Sequence, residues 1–241
     1  MRLVILFFLF LLPDLAGAQR PPADLWARWE AAQVAVAERY RVCTFIEEAD
    51  RRYDGPFGQR RVRTTQEMHT PTRGEGQGEQ RWRLRLHRVE VNDRTVPPEE
   101  HDRTERFLMR HRLEQTVGLM PLHTFTADQF RQEGTIREER GPRLWRIDLI
   151  PTGNETQVEY ATLWFVPETD RLHRSRLVVR PREHDMPLIV EMEYRRVNGL
   201  DVPLRRRAEG AVRVERRTRT YTMLFQQQTQ YRDFRFRTVE P

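Results

Sequence analysis

The stretch LWFVPETDRLHRSRLVVRP (Leu163–Pro181) sets two apolar runs on either side of a polar turn, Pro167-Glu168-Thr169-Asp170-Arg171. Such a pattern predicts two strands folded back on each other. The same period of two recurs along most of the chain. Val42, Thr44 and Ile46 alternate with Cys43, Phe45 and Glu47, and a polar strand follows around residues 59–68. Trp82, Leu84 and Leu86 alternate with Arg81, Arg83 and Arg85. Trp145, Ile147 and Leu149 alternate with Arg146 and Asp148. Leu188, Val190, Met192 and Tyr194 alternate with Glu191, Glu193 and Arg195, the cleanest strand of all. Asn198-Gly199 then gives the strongest short-range hairpin signal. Val212, Val214, Tyr221, Met223, Phe225, Phe234 and Phe236 continue the strand pattern toward the C-terminus.

Two segments break this rhythm. After Asp24, a residue able to cap a helix, Leu25, Trp29, Ala32, Val36 and Tyr40 recur at helical spacing. Phe107, Leu108, Leu113 and Val117 suggest a second helix over roughly residues 100–118, with Gly118 and Pro121 as stop signals. About ten strands with short links, two helices and no βαβ alternation predict an α+β fold, mainly antiparallel β. The meander is strongly curved or closed.

One face of these strands collects Trp82, Leu84, Leu86, Trp145, Ile147, Leu149, Trp164, Val190, Met192, Tyr194, Met223 and Phe225. Each such side chain contributes about 1.5–3 kcal/mol when fully buried. The face must therefore be covered, and three arrangements are open. The helices fill it as an ordinary core, lid it loosely over an apolar cavity, or the face points outward at lipid as in a membrane barrel.

Composition narrows the function classes. The N-terminus MRLVILFFLFLLPDLAGAQR has a positive residue, an apolar run and a small-residue site at Ala16-Gly17-Ala18. It predicts a secretory signal peptide over residues 1–18 and one mature domain over 19–241. All 42 Lys-or-Arg positions are arginine and the formal charge is +6. With export expected and no nucleic-acid motif, nucleic acid is not an expected partner; an anionic membrane surface or an envelope protein suits the basic tilt. The single cysteine, Cys43, excludes an intrachain disulfide.

No catalytic constellation stands out. The seven histidines show no His-Glu-x-x-His or paired metal spacing. Glu99-Glu100-His101-Asp102 and Glu183-His184-Asp185 read as solvated loops. Ser175, the only serine, lacks a Gly-x-Ser-x-Gly context. The sequence thus predicts no enzyme, no metal and no cofactor. The arginine clusters at Arg205–Arg207 and at Arg213, Arg216, Arg217 and Arg219 read as a solvated outer face, or as docking for anionic head groups or an acidic partner.

The segments "LWFVPETDRL", "VEMEYRRVNGLDVPLRRR" with its Gly199-to-Pro203 turn, and "QYRDFRF" with Tyr231, Asp233 and Phe234, resemble the LolA/LolB-like superfamily of periplasmic lipoprotein carriers and their relatives. The resemblance spans roughly residues 140–237 well and the first half loosely. It implies a curved, incomplete β-barrel, a half-barrel whose concave face is lidded by helices over a cavity for acyl chains. It further implies a periplasmic, non-enzymatic carrier of lipid or a lipidated protein. The expected ligand-binding residues are Trp82, Leu84, Leu86, Trp145, Ile147, Trp164, Met192, Tyr194, Met223 and Phe225. The alternative is an envelope sensor or protein-interaction module of the same fold with a self-filled core.

Overall fold

The computed structural model describes residues 22–71, 83–102, 120–121, 124–139, 143–153, 157–180, 187–216 and 219–238. The expected signal peptide, Trp82 and all but the first residues of the expected helix at 100–118 lie outside them.

One helix, α1 (Leu25–Ala37), opens the described chain. Eleven strands follow: β1 (Tyr40–Gly55), β2 (Gly58–Pro71), β3 (Arg83–Val91), β4 (Arg94–Thr95), β5 (Phe130–Glu139), β6 (Leu144–Pro151), β7 (Val158–Val166), β8 (Arg171–Val179), β9 (Leu188–Val197), β10 (Leu200–Arg216) and β11 (Arg219–Thr238). A short 3-10 turn, Pro98–Glu100, precedes the expected second helix.

All strands join one sheet in the order β4-β3-β2-β1-β11-β10-β9-β8-β7-β6-β5. Each neighbour is antiparallel to the next. β4 and β5 are the two edges and do not pair, so the sheet is an open half-barrel, as the fold class predicts. The order is a plain meander but for one step: the C-terminal β11 inserts between β1 and β10 and joins the two halves.

The turns follow local chemistry. Asn198 and Gly199 take φ of 51° and 86°, the two left-handed residues of a two-residue hairpin turn, and Val197 pairs with Leu200. The quoted Leu163–Pro181 segment is the β7–β8 hairpin, with Asp170 at φ 48° in its turn. β5 was not legible as a strand: FRQEGTIREE is polar, and Gly134 at φ 72° sits within an irregular pairing with β6 between Glu133 and Arg137.

Helix α1 lacks glycine and proline and is rich in alanine. Asp24 precedes it as expected, but its side chain makes no capping hydrogen bond and instead lies 3.6 Å from Arg28 Nε. The helix stops at Ala37, three residues short of the expected end, where Glu38 and Arg39 turn the chain into β1. Its buried face is Leu25, Trp26, Trp29, Gln33 and Ala37 rather than the stripe through Ala32 and Val36. The cause is Gln33. Its Nε2 donates to Gly199 O at 3.1 Å and its Oε1 accepts from Asp201 N at 2.7 Å, which rotates the helix toward the β9–β10 turn.

The core lies on one face of the sheet in three clusters. The largest gathers Trp26, Trp29, Phe125, Phe130, Trp145, Phe165, Val190 and Phe225 among others. A second, on β1–β3 and β11, holds Cys43, Phe45, Met68, Leu84, Leu86, Val89 and Tyr231. A third, around Ala37, Met120, Leu200 and Val202, closes the end beside α1.

Candidate apolar face and its lid clamp

The expected lining residues fall into four places. Trp145, Ile147, Met192, Tyr194 and Phe225 share the largest cluster. Leu84 and Leu86 belong to the second, across the sheet on β3. Met223 is half-buried near the β1–β2 turn, where its Cγ would lie 2.7 Å from a Cβ built on Gly55. Trp164 lies on the opposite, polar face. Its strand neighbours Leu163 and Phe165 enter the core, while Trp164 pairs with Arg146 and Arg174. The Arg174 guanidinium stacks 4.2 Å from the indole centroid and that of Arg146 lies at 6.0 Å. A strand apolar on both faces leaves the choice to register, and here the two arginines claim the ring.

The largest cluster is packed under α1. Trp29 meets Phe165 edge-on at 5.9 Å, and Phe125 and Phe130 approach within 6.4 Å. Tyr194 reaches Ser175 Oγ at 2.8 Å and Met192 Sδ at 3.4 Å through its hydroxyl. Burial pushes the Tyr194 phenol far up, so it stays protonated. Ser175 is itself buried and engaged with that tyrosine.

A carboxylate that sequence reasoning passed over fixes the helix. Asp201 is fully buried. Its Oδ2 accepts from Trp29 Nε1 at 2.9 Å, from the Leu172 backbone N–H at 2.9 Å and from Arg196 Nη2 at 3.0 Å, and its Oδ1 accepts from Arg196 Nε at 2.9 Å. One side chain thus ties α1, β8 and β9 together. The signal was present inside the Gly199-to-Pro203 turn: an acid two residues after an Asn-Gly turn, facing a helix that carries Trp29.

Between the first two clusters the same face turns polar. Glu47, Arg51, Thr64, Gln66, Gln227 and Thr229 are all buried on β1, β2 and β11. Gln66 Nε2 donates to Glu47 Oε1 at 2.6 Å, Arg51 Nη1 donates to Thr64 Oγ1 at 2.9 Å, and Arg51 Nη2 lies 3.5 Å from Glu47. The outer face carries a groove of about 510 Å³ that includes Trp164, Arg174, Arg176, Glu191, Arg205 and Arg207.

Among the described residues no group of His, Cys, Asp or Glu could hold a metal ion, and no helix is long and apolar enough to cross a membrane. Of the acid–histidine clusters, His101 reaches the Val96 carbonyl at 3.1 Å, and the cluster at 183–185 lies outside the described residues. Cys43 is buried, and burial pushes its thiol up to about 12.

No family model matches the chain, and no curated protein matches it by sequence. Solved structures are similar in chain course. A domain described as an outer membrane lipoprotein-sorting protein, from Vibrio parahaemolyticus, matches at 11% identity and a TM-score of 0.46, over 91% of this chain and 95% of its own. A LolA superfamily protein from Nitrosomonas europaea matches at 12% identity and 0.40, over 88% and 94%. A DUF1329 family protein from Desulfovibrio piger matches at 11% identity and 0.35, over 88% and 93%.

Proposed function

We propose that the chain is an exported, periplasmic, non-enzymatic carrier that binds acyl chains of a lipid or lipidated protein on the inner face of its half-barrel. The observation that carries this reading is the apolar patch of the β1–β3 wing. Phe45, Met68, Leu84, Leu86 and Val89 gather on one side of β1, β2 and β3 in a cluster that holds no residue of α1. Leu84 and Leu86, at 8 and 9% exposure, are its least buried members. An acyl chain laid across them gains about 0.8 kcal/mol per buried methylene. Residues 19–241 form the mature domain in this reading.

The runner-up, an envelope interaction module with a self-filled core, is favoured by one observation: Trp26, Trp29, Phe125 and Phe130 pack the α1 side densely. Purified mature protein separates the two. The carrier reading expects co-purifying lipid in organic extracts analysed by mass spectrometry, and binding of an apolar fluorescent probe that L84R weakens about tenfold or more. Absence of both lipid and probe binding in a folded sample overturns the carrier and leaves the interaction module.

A further inference from the structure

The two edges of the sheet are built differently. β5 is a poor template for another strand: Gly134 at φ 72° lies where its pairing with β6 is irregular, and Arg131, Glu133, Arg137, Glu138 and Glu139 mix both signs along it. The other end is open for a reason written in the sequence. β4 meets β3 through Arg94 opposite Val91 and Thr95 opposite Glu90, and the Val96 N–H then donates to Val89 O at 2.9 Å. Continuing that register would set Pro97 and Pro98 opposite Arg88 and His87. Proline has no N–H to give to a ladder, and Pro98 instead starts the 3-10 turn that ends the pairing. Among the described residues, residues 83–88 therefore pair with β2 on one side and with no strand on the other. Six residues of strand edge span about 20 Å.

The side chains of this edge alternate. Leu84 and Leu86 turn inward to the second cluster, while Arg83, Arg85 and His87 are exposed on the outer face. The acids nearby are engaged elsewhere. Glu67, opposite Arg85 in register, faces His69 at 3.6 Å and His87 at 3.8 Å, and Glu90 pairs with Arg63 and Arg88. Arg83 and Arg85 have no carboxylate partner among the described residues. A second copy of the chain does not suit this edge. Any symmetric antiparallel pairing that overlaps these residues sets Arg83, Arg85 and His87 against one another, and like charges directly opposite repel.

We infer that the open edge of β3 takes an extended acidic segment of a partner protein as an added strand. The segment's backbone continues the ladder that Pro97 and Pro98 cut short. Its acids, at every second position, face Arg83 and Arg85 on the outer side, and the apolar residues between them lie beside Leu84 and Leu86. In strand addition the main-chain hydrogen bonds supply affinity and the alternate side chains supply specificity. Opposite charges across a strand pair attract, so this edge accepts an acidic strand where it refuses its own copy. The inference stands on the edge and its outer face and does not depend on whether the inner face carries lipid.

The test is a fluorescein-labelled peptide of alternating glutamate and valine, titrated with the mature protein and read by anisotropy. Binding is expected, weaker by about tenfold or more when lysine replaces glutamate. R83E/R85E should reverse that preference, losing the glutamate peptide by about tenfold or more and gaining the lysine peptide, with thermal unfolding unchanged because both side chains are exposed. Methylating alternate backbone nitrogens of the glutamate peptide separates an added strand from loose ion pairing: one of the two alternate sets should abolish binding and the other leave it intact. Apolar-probe binding should be the same in wild type and R83E/R85E, so failure of the carrier reading and failure of this one are read separately. No binding of the glutamate peptide by folded protein, equal binding of both peptides, full binding by R83E/R85E, or indifference to both methylation sets overturns the proposal. Equally tight binding of polyglutamate, which lacks the alternation, marks a nonspecific cationic surface and overturns it too.

Discussion

Replacing Asp201 by alanine tests the clamp that holds α1 to the sheet. The substitution strands Trp29 Nε1 and the Leu172 N–H, both buried, and frees Arg196. A buried donor left without an acceptor costs about 1–3 kcal/mol. The two together give about 2–6 kcal/mol. Arg196 adds little, because its side chain is one-third exposed and can turn to water. Against a typical stability of about 5–15 kcal/mol this is a large fraction. With a urea slope of about 3 kcal/mol/M, the midpoint should fall by about 1–2 M. Urea titration followed by tryptophan emission reads the shift, and Trp29 and Trp26 make the probe local to α1. W29F removes one bond while leaving Asp201 its other donors, so it should cost about 1 kcal/mol beyond the small change in packing. The pair should be strongly non-additive, since D201A has already broken the bond that W29F removes. A midpoint for D201A within about 0.2 M of wild type at unchanged slope refutes the clamp. Additive costs for the two changes would show that Trp29 and Asp201 act independently.

Three further outcomes follow from other contacts. Cys43, whose thiol burial pushes up to about 12, should resist a disulfide reagent at neutral pH and react at the rate of global unfolding; fast labelling of native protein would contradict its burial. Hydrogen bonds from Arg61 hold the Asp50 carboxyl below its usual range despite partial burial, with Arg52 and Arg63 adding to the effect. The stability from that lowering is present above about pH 4 and lost as pH falls through the lowered folded value, so D50N should flatten the acid limb of the stability curve; an unchanged limb would refute it. E47Q breaks a buried ion pair and should cost about 3 kcal/mol in urea, whereas E47L/R51L, which removes both charges, should cost less; a double variant as unstable as the single one would argue against the pairing.

Regular alternation made much of the fold legible. In β6, β9 and the first half of β3 every second residue is apolar, and the structure buries Leu84 and Leu86, Trp145 and Ile147, and Val190, Met192 and Tyr194. Asn198-Gly199 was legible because few residues tolerate two successive positive φ angles. Alternation fell silent where both faces are alike. Ala161–Phe165 is buried throughout, so periodicity could not assign Trp164, and only its pairing with two arginines does. Conversely, β1 and β2 carry polar residues on both faces. Glu47, Arg51 and Gln66 carry no apolar signal, yet their register places them beside Phe45 and Met68 on the inner side. The clamp was hidden for a third reason: Asp201 acts through Trp29, 172 residues away in sequence. No local rule joins two such positions before the fold does.

That inner polar belt bears on how the apolar face works. A face uniformly apolar from β3 to β6 would be one core, and whatever filled one part would constrain the rest. Here Arg51 and Gln227 stand opposite one another on β1 and β11, with Glu47 and Gln66 beside them on β1 and β2. Buried groups of this kind are tolerated only with hydrogen-bonding partners, so the belt cannot collapse into either neighbour. It divides the face into two patches that answer to different covers. On one side Trp26, Trp29, Phe125 and Phe130 interlock with Phe165 and Trp145 beneath a helix tied down by Asp201. On the other lie Phe45, Met68, Leu84 and Leu86. Sites separated in this way usually add independently. The dense packing under α1 therefore does not count against a ligand on the β1–β3 wing. Conversely, enlarging a cavity under α1 should leave probe binding at Leu84 and Leu86 where it was.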